Sequence, residues 1–127
     1  MIFRSMILWA SLILLPFQLS LAQEGRRNEN YYSSQLARRV GGKTEVRLFD
    51  GSRIDVLGPK YAWEVEWAPK WKEAIGQSLY YSAVSERPPA ILLLVRETKT
   101  DTVYILRCLV VCHKYNIHLE ILKVPED

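Results

Sequence analysis

Two neighbouring segments of the sequence carry acidic residues at positions where they could bind a metal ion. Asp55 lies in the segment Arg53–Leu57, and Glu64 and Glu66 lie in residues 61–67, with a Gly-Pro turn between the segments. Both segments alternate between apolar and other residues, which is typical of strands with one buried face. Because successive strand residues point to opposite faces, the three acids share one face. Carboxylates gathered in this way could bind a metal cation.

The length of the turn decides which acids lie opposite each other. If the loop spans residues 58–61, Leu57 faces Ala62 and Asp55 faces Glu64. Two like charges opposite each other cost a few tenths to about 1 kcal/mol. A metal cation or a lysine would remove that repulsion. The opposite face of the two strands is expected to be apolar and to collect Ile54, Val56, Trp63, Val65 and Trp67.

The segment after the second strand predicts a helix over residues 71–84 with one polar stripe. Lys70, Glu73, Gln77 and Tyr81 recur three or four residues apart, so they fall on one side of the helix. The stripe begins only a few residues after Glu66. We therefore expect Lys70 or Gln77 to fold back over the acidic face.

Simpler interpretations exist for the same residues. Asp55, Glu64 and Glu66 would also suit the solvated face of an amphipathic hairpin, with Arg53 pairing across to Glu66. Tryptophans are more often used in core packing than as platforms for stacked bases. Both interpretations apply to the tryptophans of this region, which are Trp63, Trp67 and Trp71.

The remaining elements must hold these residues in place. The pattern predicts a helix over residues 31–40, strands over 44–49, 53–57 and 61–67, a helix over 71–84, a strand over 90–95, a helix from Thr100 or Asp101 to about 115, and a strand over 118–124. Residues 90–95 are apolar without alternation, which favours a central strand covered on both faces. A three-strand meander followed by two helical crossovers implies an α/β (α+β) fold with a mixed sheet and helices on both faces.

The beginning of the sequence resembles a secretory signal peptide. Arg4 precedes the apolar residues 6–15, and Ser20 and Ala22 stand at the positions expected before a cleavage site. An uncleaved membrane anchor is the alternative, but the run is well short of the roughly 20 apolar residues that a span needs. We expect residues 1–22 to be a signal peptide and residues 23–127 a single domain. The mature protein would then be secreted or periplasmic and not stably attached to a membrane.

Charge and cysteine content set weaker limits on function. The formal net charge of +3 neither requires nor forbids a nucleic-acid partner. Basic residues concentrated before the hairpin would suit an ordinary surface or a phosphate-facing patch; they are Arg26, Arg27, Arg38, Arg39, Lys43, Arg47 and Arg53. Cys108 and Cys112, four apart on the third predicted helix, are expected to be buried thiols rather than a disulfide.

The order of elements, with an acid on the second strand and an acid pair on the third, resembles the PD-(D/E)XK superfamily of restriction-endonuclease-like nucleases. The resemblance covers nearly all of residues 23–127. It implies that Asp55 and Glu64 ligate a divalent metal, with the backbone carbonyl of Val65 as a third ligand. The family places a lysine two residues after the glutamate, and this chain has Glu66 there.

Several branches of that superfamily supply the lysine from the following helix, which Lys70 opens in this chain. Residues 70–81 are also similar to the helix of the Holliday-junction-resolvase-like branch, in which a glutamine and an aromatic residue follow. The resemblance implies that Lys70 holds the phosphate or the attacking water. Glu66 would bind a second ion or orient Lys70, and Gln77 would position a phosphate oxygen.

The implied activity is a Mg²⁺- or Mn²⁺-dependent endonuclease that cuts DNA without a small-molecule cofactor. Relatives of this kind often pair to cut two strands, which makes a homodimer one expectation. The absence of a lysine at position 66 favours a second hypothesis, a catalytically inactive module of the same fold that binds nucleic acid or protein. The near-neutral charge favours a third, a secreted structural domain.

Overall fold

The computed structural model describes residues 29–125 of the chain. The chain divides into two compact units, residues 1–31 and residues 32–127. Of the first unit only residues 29–31 are described, and they are helical. The predicted signal peptide and its cleavage site therefore lie outside the described residues. Among the described helices none is long and apolar enough to span a bilayer.

The described residues form an α+β fold around a five-stranded sheet. Residues 29–40 are helical and are named α1. The elements that follow are β1 (Lys43–Arg47), β2 (Arg53–Leu57), β3 (Ala62–Trp67), a single 3-10 turn (Ala68–Lys70), α2 (Trp71–Ser85), β4 (Pro89–Val95), α3 (Lys99–Lys114) and β5 (His118–Lys123). The prediction of a mixed α/β fold is confirmed.

The sheet has the strand order β1-β2-β3-β4-β5. β1, β2 and β3 pair antiparallel through short turns, whereas β3, β4 and β5 pair parallel. Parallel neighbours need a long crossover connection, which α2 and α3 supply. The sheet is therefore mixed because the chain changes from hairpin turns to helical crossovers after β3.

Strand β4 lies in the core, and its alternate residues pack against different helices. Ala90, Leu92 and Leu94 belong to a cluster that includes Leu36 of α1. Ile91, Leu93 and Val95 belong to a second cluster on the other face, with Ala74 of α2 and with Cys108 and Cys112 of α3. This arrangement explains the unbroken apolar run, because both faces of the strand are covered.

The turn between β2 and β3 has the predicted length. Leu57 pairs with Ala62 in the antiparallel ladder, and Gly58 N–H donates to the carbonyl of Tyr61 at 3.0 Å. Arg87 Nη1 also donates to the carbonyl of Gly58 at 2.7 Å, which ties the turn to the segment before β4. The register that this turn fixes places Asp55 opposite Glu64.

The apolar face predicted for β2 divides between two clusters. Val56 packs with Trp63 and Val65, as expected, but Ile54 belongs to a separate cluster with Ala62 and Tyr81. The two clusters meet at Asp55. The residue opposite it in β1 is Glu45, whose backbone is not in a regular strand conformation.

Helix α3 differs from its predicted form at its start and on its outer face. Its N-cap is Thr98, whose hydroxyl accepts the Asp101 N–H at 3.0 Å, rather than Thr100 or Asp101. Asp101 is instead buried in the first turn and accepts the Arg96 N–H at 2.7 Å. Four large apolar residues of α3 whose spacing would suit a buried face are 43% to 69% exposed; they are Val103, Leu106, Leu109 and Val110.

The inner face of α3 is formed by the two cysteines. Cys108 and Cys112 are both buried, and both are free thiols as predicted, with their Sγ atoms 3.8 Å apart. Because cysteine is small and apolar, it lets the helix approach the sheet closely. The core side of α3 therefore consists of its cysteines with Tyr104 and Ile105 packed beside them, whereas Val103, Leu106, Leu109 and Val110 face outward.

Candidate functional site

The centre of the candidate site is the contact between Asp55 and Glu64. Asp55 Oδ2 accepts the backbone N–H of Val65 at 2.8 Å, so the Asp55 side chain reaches across from β2 to β3. The side chains of Asp55 and Glu64 are themselves within hydrogen-bonding contact. Two carboxyl groups can share a hydrogen bond only when one of them holds a proton. The geometry therefore brings together the two acids that the hairpin pattern predicts to be neighbours.

Burial dominates the electrostatics of Asp55. Loss of solvent raises the pKa of Asp55, and the charge of Glu45 adds to the rise. The hydrogen bonds with Val65 N–H and with Glu64 act in the opposite direction but do not cancel it. A buried carboxyl group with a raised pKa is a common feature of functional sites.

The acids of β3 lie in the protein interior. Glu64 is 2% exposed and Glu66 is 7% exposed. Glu66 Oε1 also accepts the backbone N–H of Trp67 at 2.9 Å. The hypothesis that these acids form the solvated face of a hairpin is wrong, because α2 covers that face of the sheet. Arg53 does not pair with Glu66 either, since it forms a salt bridge to Glu45 at 3.1 Å.

Helix α2 covers the acids with Gln77 and Tyr81. With the Gln77 amide oriented so that its nitrogen faces the carboxylate, this nitrogen lies 3.0 Å and 3.1 Å from the two Glu64 oxygens. The same nitrogen is 3.1 Å from the hydroxyl oxygen of Tyr81. In this orientation the amide nitrogen can donate to either Glu64 oxygen, which the opposite orientation does not allow. Gln77 therefore contacts Glu64 as the polar stripe of α2 predicts.

Tyr81 is buried beside the same carboxylates. Burial raises the pKa of Tyr81 above its ordinary range, and the charges of Glu64 and Asp55 raise it further. The phenol is therefore neutral at physiological pH and can donate a hydrogen bond to Glu64. The sequence placed Tyr81 on the polar stripe, but only the fold shows that it contacts the site.

Lys70 is not brought to the acids. It is exposed in the 3-10 turn that precedes α2, and none of the salt bridges among residues 29–125 includes it. Lys72 lies over the ring of Trp71, with Nζ 5.7 Å from the ring centroid. Pro69 lies at the start of the 3-10 turn that contains Lys70, and proline favours the start of a helix and not its continuation. Of the two residues expected to fold back over the acids, Gln77 does so and Lys70 does not.

Glu45 was not identified as part of the site from the sequence. The pairs Thr44↔Val56 and Val46↔Ile54 place it opposite Asp55 in the sheet. Its φ of 49° lies in the left-handed region, which is uncommon for a residue other than glycine. Counting back from the Asp50-Gly51 turn would have shown that Glu45 faces Asp55, but the left-handed backbone leaves no signal in the sequence.

The oxygen atoms at this site suit a hard divalent cation, but the carboxylates alone supply too few ligands. Asp55 and Glu64 offer adjacent carboxylate oxygens, and Val65 supplies backbone next to Asp55. Within residues 29–125, no group of three or more His, Cys, Asp or Glu side chains is arranged to hold a metal ion. Two carboxylates would therefore need backbone, water or substrate oxygens to complete a coordination sphere.

A separate groove lies on the opposite face of the sheet, between α1 and β5. It has a volume of about 680 Å³, and its polar lining includes Arg38, Arg39, Gln35 and Glu120. Glu120 accepts from Arg39 at 2.5 Å and contacts His118 at 3.2 Å. The charges of this groove are thus largely paired within the protein, which distinguishes it from the acid site.

Comparisons of the chain with protein-family models, with curated proteins and with solved structures found no match.

Proposed function

We propose that the protein is a metal-dependent nuclease of the PD-(D/E)XK type that hydrolyses DNA phosphodiester bonds. The observation that carries the proposal is the contact between Asp55 on β2, which is partly buried, and Glu64 on β3, which is fully buried. Two carboxyl groups in such contact are unfavourable when both are ionised, so a cation would stabilise them. The resemblance of the element order to this superfamily supports the same pair as metal ligands.

The residues around the pair would prepare it for this role. When bound, Mg²⁺ or Mn²⁺ would supply the charge neutralisation and the activated water that phosphodiester hydrolysis needs. Val65 N–H holds one Asp55 oxygen in place, and Gln77 orients Glu64 from the solvent side. Gln77 is also the group that a phosphate oxygen would meet first, because its side chain is exposed.

Lys70 and Glu66 have more limited parts in the proposal. Lys70 is exposed in the turn just before α2, and it would contact the phosphate only once substrate is present. Glu66 is buried next to the start of α2 and would hold the polypeptide between β3 and Lys70 in position. We further propose that the nuclease is exported, on the basis of residues 1–22.

A binding module without catalytic activity is the second candidate. The exposed position of Lys70 favours it, because no amine contacts the acid pair within the described residues. Such a module would keep the sheet and the helices and use the surface around Gln77 to bind nucleic acid or protein.

Titration with Mn²⁺ and a cleavage assay separate the two candidates. The nuclease should bind Mn²⁺ in calorimetry and cut plasmid or single-stranded DNA, whereas Asp55→Asn and Glu64→Gln should lose both properties. Glu97→Gln, which changes an exposed acid paired with Lys123, should behave as wild type. Metal binding without cleavage would favour the inactive module, and cleavage retained in both site variants would exclude this site.

Lys70 is tested by the same assay. Lys70→Ala should lower the cleavage rate by about 100-fold if its amine acts on the phosphate or the water. Lys72→Ala is the matched control and should have little effect, because Lys72 lies over Trp71. The reverse result would transfer the role to Lys72.

A further inference from the structure

A phenylalanine projects into solvent from the tip of the β1–β2 hairpin. Phe49 is 87% exposed, the largest value among the exposed apolar residues of the described chain. It stands in a tight turn in which Leu48 N–H donates to the carbonyl of Ser52 at 2.8 Å. Gly51 has a φ of 87°, which the turn requires and glycine readily adopts. An aromatic ring held in solvent on a tight turn loses little entropy when it binds a ligand.

The turn that carries Phe49 is fixed to helix α2. Asp50 Oδ1 accepts from the Ser52 backbone at 3.0 Å and from the Ser52 hydroxyl at 2.6 Å. The hydroxyl of Tyr80 donates to the other Asp50 oxygen. Tyr80 is followed directly by Tyr81, which lies beside Glu64. Phe49 and the acid pair are therefore held by consecutive residues of one rigid element.

Two arginines flank this turn. Arg47 and Arg53 are directly opposite each other in the β1–β2 ladder, and like charges in that arrangement repel. Arg53 is partly neutralised by Glu45 at 3.1 Å. Arg47 is exposed and takes part in none of the salt bridges among residues 29–125. A phosphate bound between these two guanidinium groups would remove their repulsion.

We infer that the β1–β2 hairpin binds single-stranded DNA, with a base stacked on Phe49 and its backbone phosphate on Arg47 and Arg53. The inference rests on the proposed nuclease function, because it names the form of DNA that the acid pair would receive. Stacking on a protruding ring needs a base that is free of a partner strand, which favours single strands over duplex. The two acids nearest Phe49 and the arginines do not prevent this, since Asp50 is turned towards Ser52 and Tyr80 and Glu45 is paired with Arg53.

The experiment measures DNA binding in the absence of metal. The purified protein is titrated into a fluorescein-labelled oligo-dT 12-mer in EDTA, and anisotropy is recorded. Phe49→Ala should weaken binding about tenfold or more, which is the usual effect of removing one stacked base. Leu106→Ala is the matched control, because it removes an exposed apolar side chain from α3 without touching the hairpin. Phe49→Trp should keep the wild-type affinity because it keeps an aromatic ring, whereas Phe49→Leu should bind as weakly as Phe49→Ala.

The arginine contacts are tested through salt dependence. Arg47→Gln should weaken binding and reduce the slope of log K against log salt by about 0.7, the value for one phosphate contact on a single strand. Arg107→Gln, which changes an exposed arginine on α3, should leave the slope unchanged. A duplex of the same length should bind more weakly than the single strand and should not respond to Phe49→Ala.

The outcomes distinguish this inference from the proposed function. Equal affinity of wild type and Phe49→Ala for the single strand would overturn the inference, even if Mn²⁺-dependent cleavage is observed. Binding that depends on Phe49 without any cleavage would support the inference and overturn the nuclease. Tighter binding of duplex than of single strand would also overturn the proposed substrate form.

Discussion

Gln77 on helix α2 contacts Glu64 on strand β3, with its amide nitrogen 3.0 Å and 3.1 Å from the two carboxylate oxygens. This contact crosses from the helical layer to the sheet and satisfies a carboxylate that is 2% exposed. It therefore connects the stability of the fold with the geometry of the candidate site. Removing it should affect both.

The first prediction concerns this contact. Gln77→Ala should lower the free energy of unfolding by about 1 to 2 kcal/mol, because a hydrogen bond to a buried carboxyl group is lost. Urea denaturation measures the change. Glu73→Ala alters an exposed position one turn earlier on α2 and should change stability by less than about 0.5 kcal/mol. Similar effects of the two substitutions would show that the Gln77 contact does not stabilise the fold.

The second prediction concerns pH. Because burial raises the pKa of Asp55, the folded protein holds this proton more tightly than the unfolded chain. Stability should therefore fall as pH rises from the ordinary carboxyl value of about 4 through the raised value, and should stay lower above it. Asp55→Asn keeps an oxygen for Val65 N–H but cannot ionise.

The measurement is urea denaturation in EDTA at several pH values. Asp55→Asn should be more stable than wild type at pH 7, and the difference should shrink towards pH 4. Glu97→Gln provides the control, because its surface pair contributes little to stability. Parallel pH curves for wild type and Asp55→Asn would contradict the raised pKa.

The third prediction concerns the start of α3. Thr98→Ala should destabilise the protein by about 1 kcal/mol, because the Thr98 hydroxyl is the cap that accepts the Asp101 N–H. Thr100→Ala, two residues later, removes a hydroxyl that does not cap the helix and should have a smaller effect. Thermal unfolding compares the two variants. A larger loss of stability in Thr100→Ala than in Thr98→Ala would mean that Thr98 does not cap the helix.

The fourth prediction concerns the backbone at Glu45. Glu45→Gly should stabilise the protein by about 1 kcal/mol, because glycine adopts a φ of 49° without the penalty of a side chain. Thr44→Gly is the matched control and should destabilise, since Thr44 is an ordinary strand residue paired with Val56. Denaturation of both variants shows whether the backbone strain at Glu45 or the low strand propensity of glycine has the larger effect on stability. Destabilisation by Glu45→Gly would mean that the Glu45 side chain contributes more than the strain removes.

Much of the sheet follows from short-range signals. The Asp50-Gly51 turn, the four-residue loop of residues 58–61 and the apolar run of β4 each depend on a few consecutive residues. Such signals are strong because turn geometry and strand alternation are properties of the local backbone. They also place Asp55 opposite Glu64, so the centre of the candidate site could be predicted before the fold was known.

The outward direction of apolar residues on α3 could not be predicted in the same way. Val103, Leu106 and Val110 have the spacing of a buried helix face, yet the sheet contacts Cys108 and Cys112. Which face of a helix is buried depends on how closely the helix can approach its neighbours, and small residues allow the closest approach. Periodicity alone does not contain that information.

The sequence by itself determined the strands, the turns, the register of β2 on β3 and therefore the proximity of two acids. The tertiary structure alone decided that Glu64 is buried, that Gln77 and Tyr81 lie beside it, that Lys70 remains in solvent and that Glu45 faces Asp55. The physical reason is range. Turns and alternation act over a few residues, whereas burial and the pKa of a carboxyl group depend on every element packed around it.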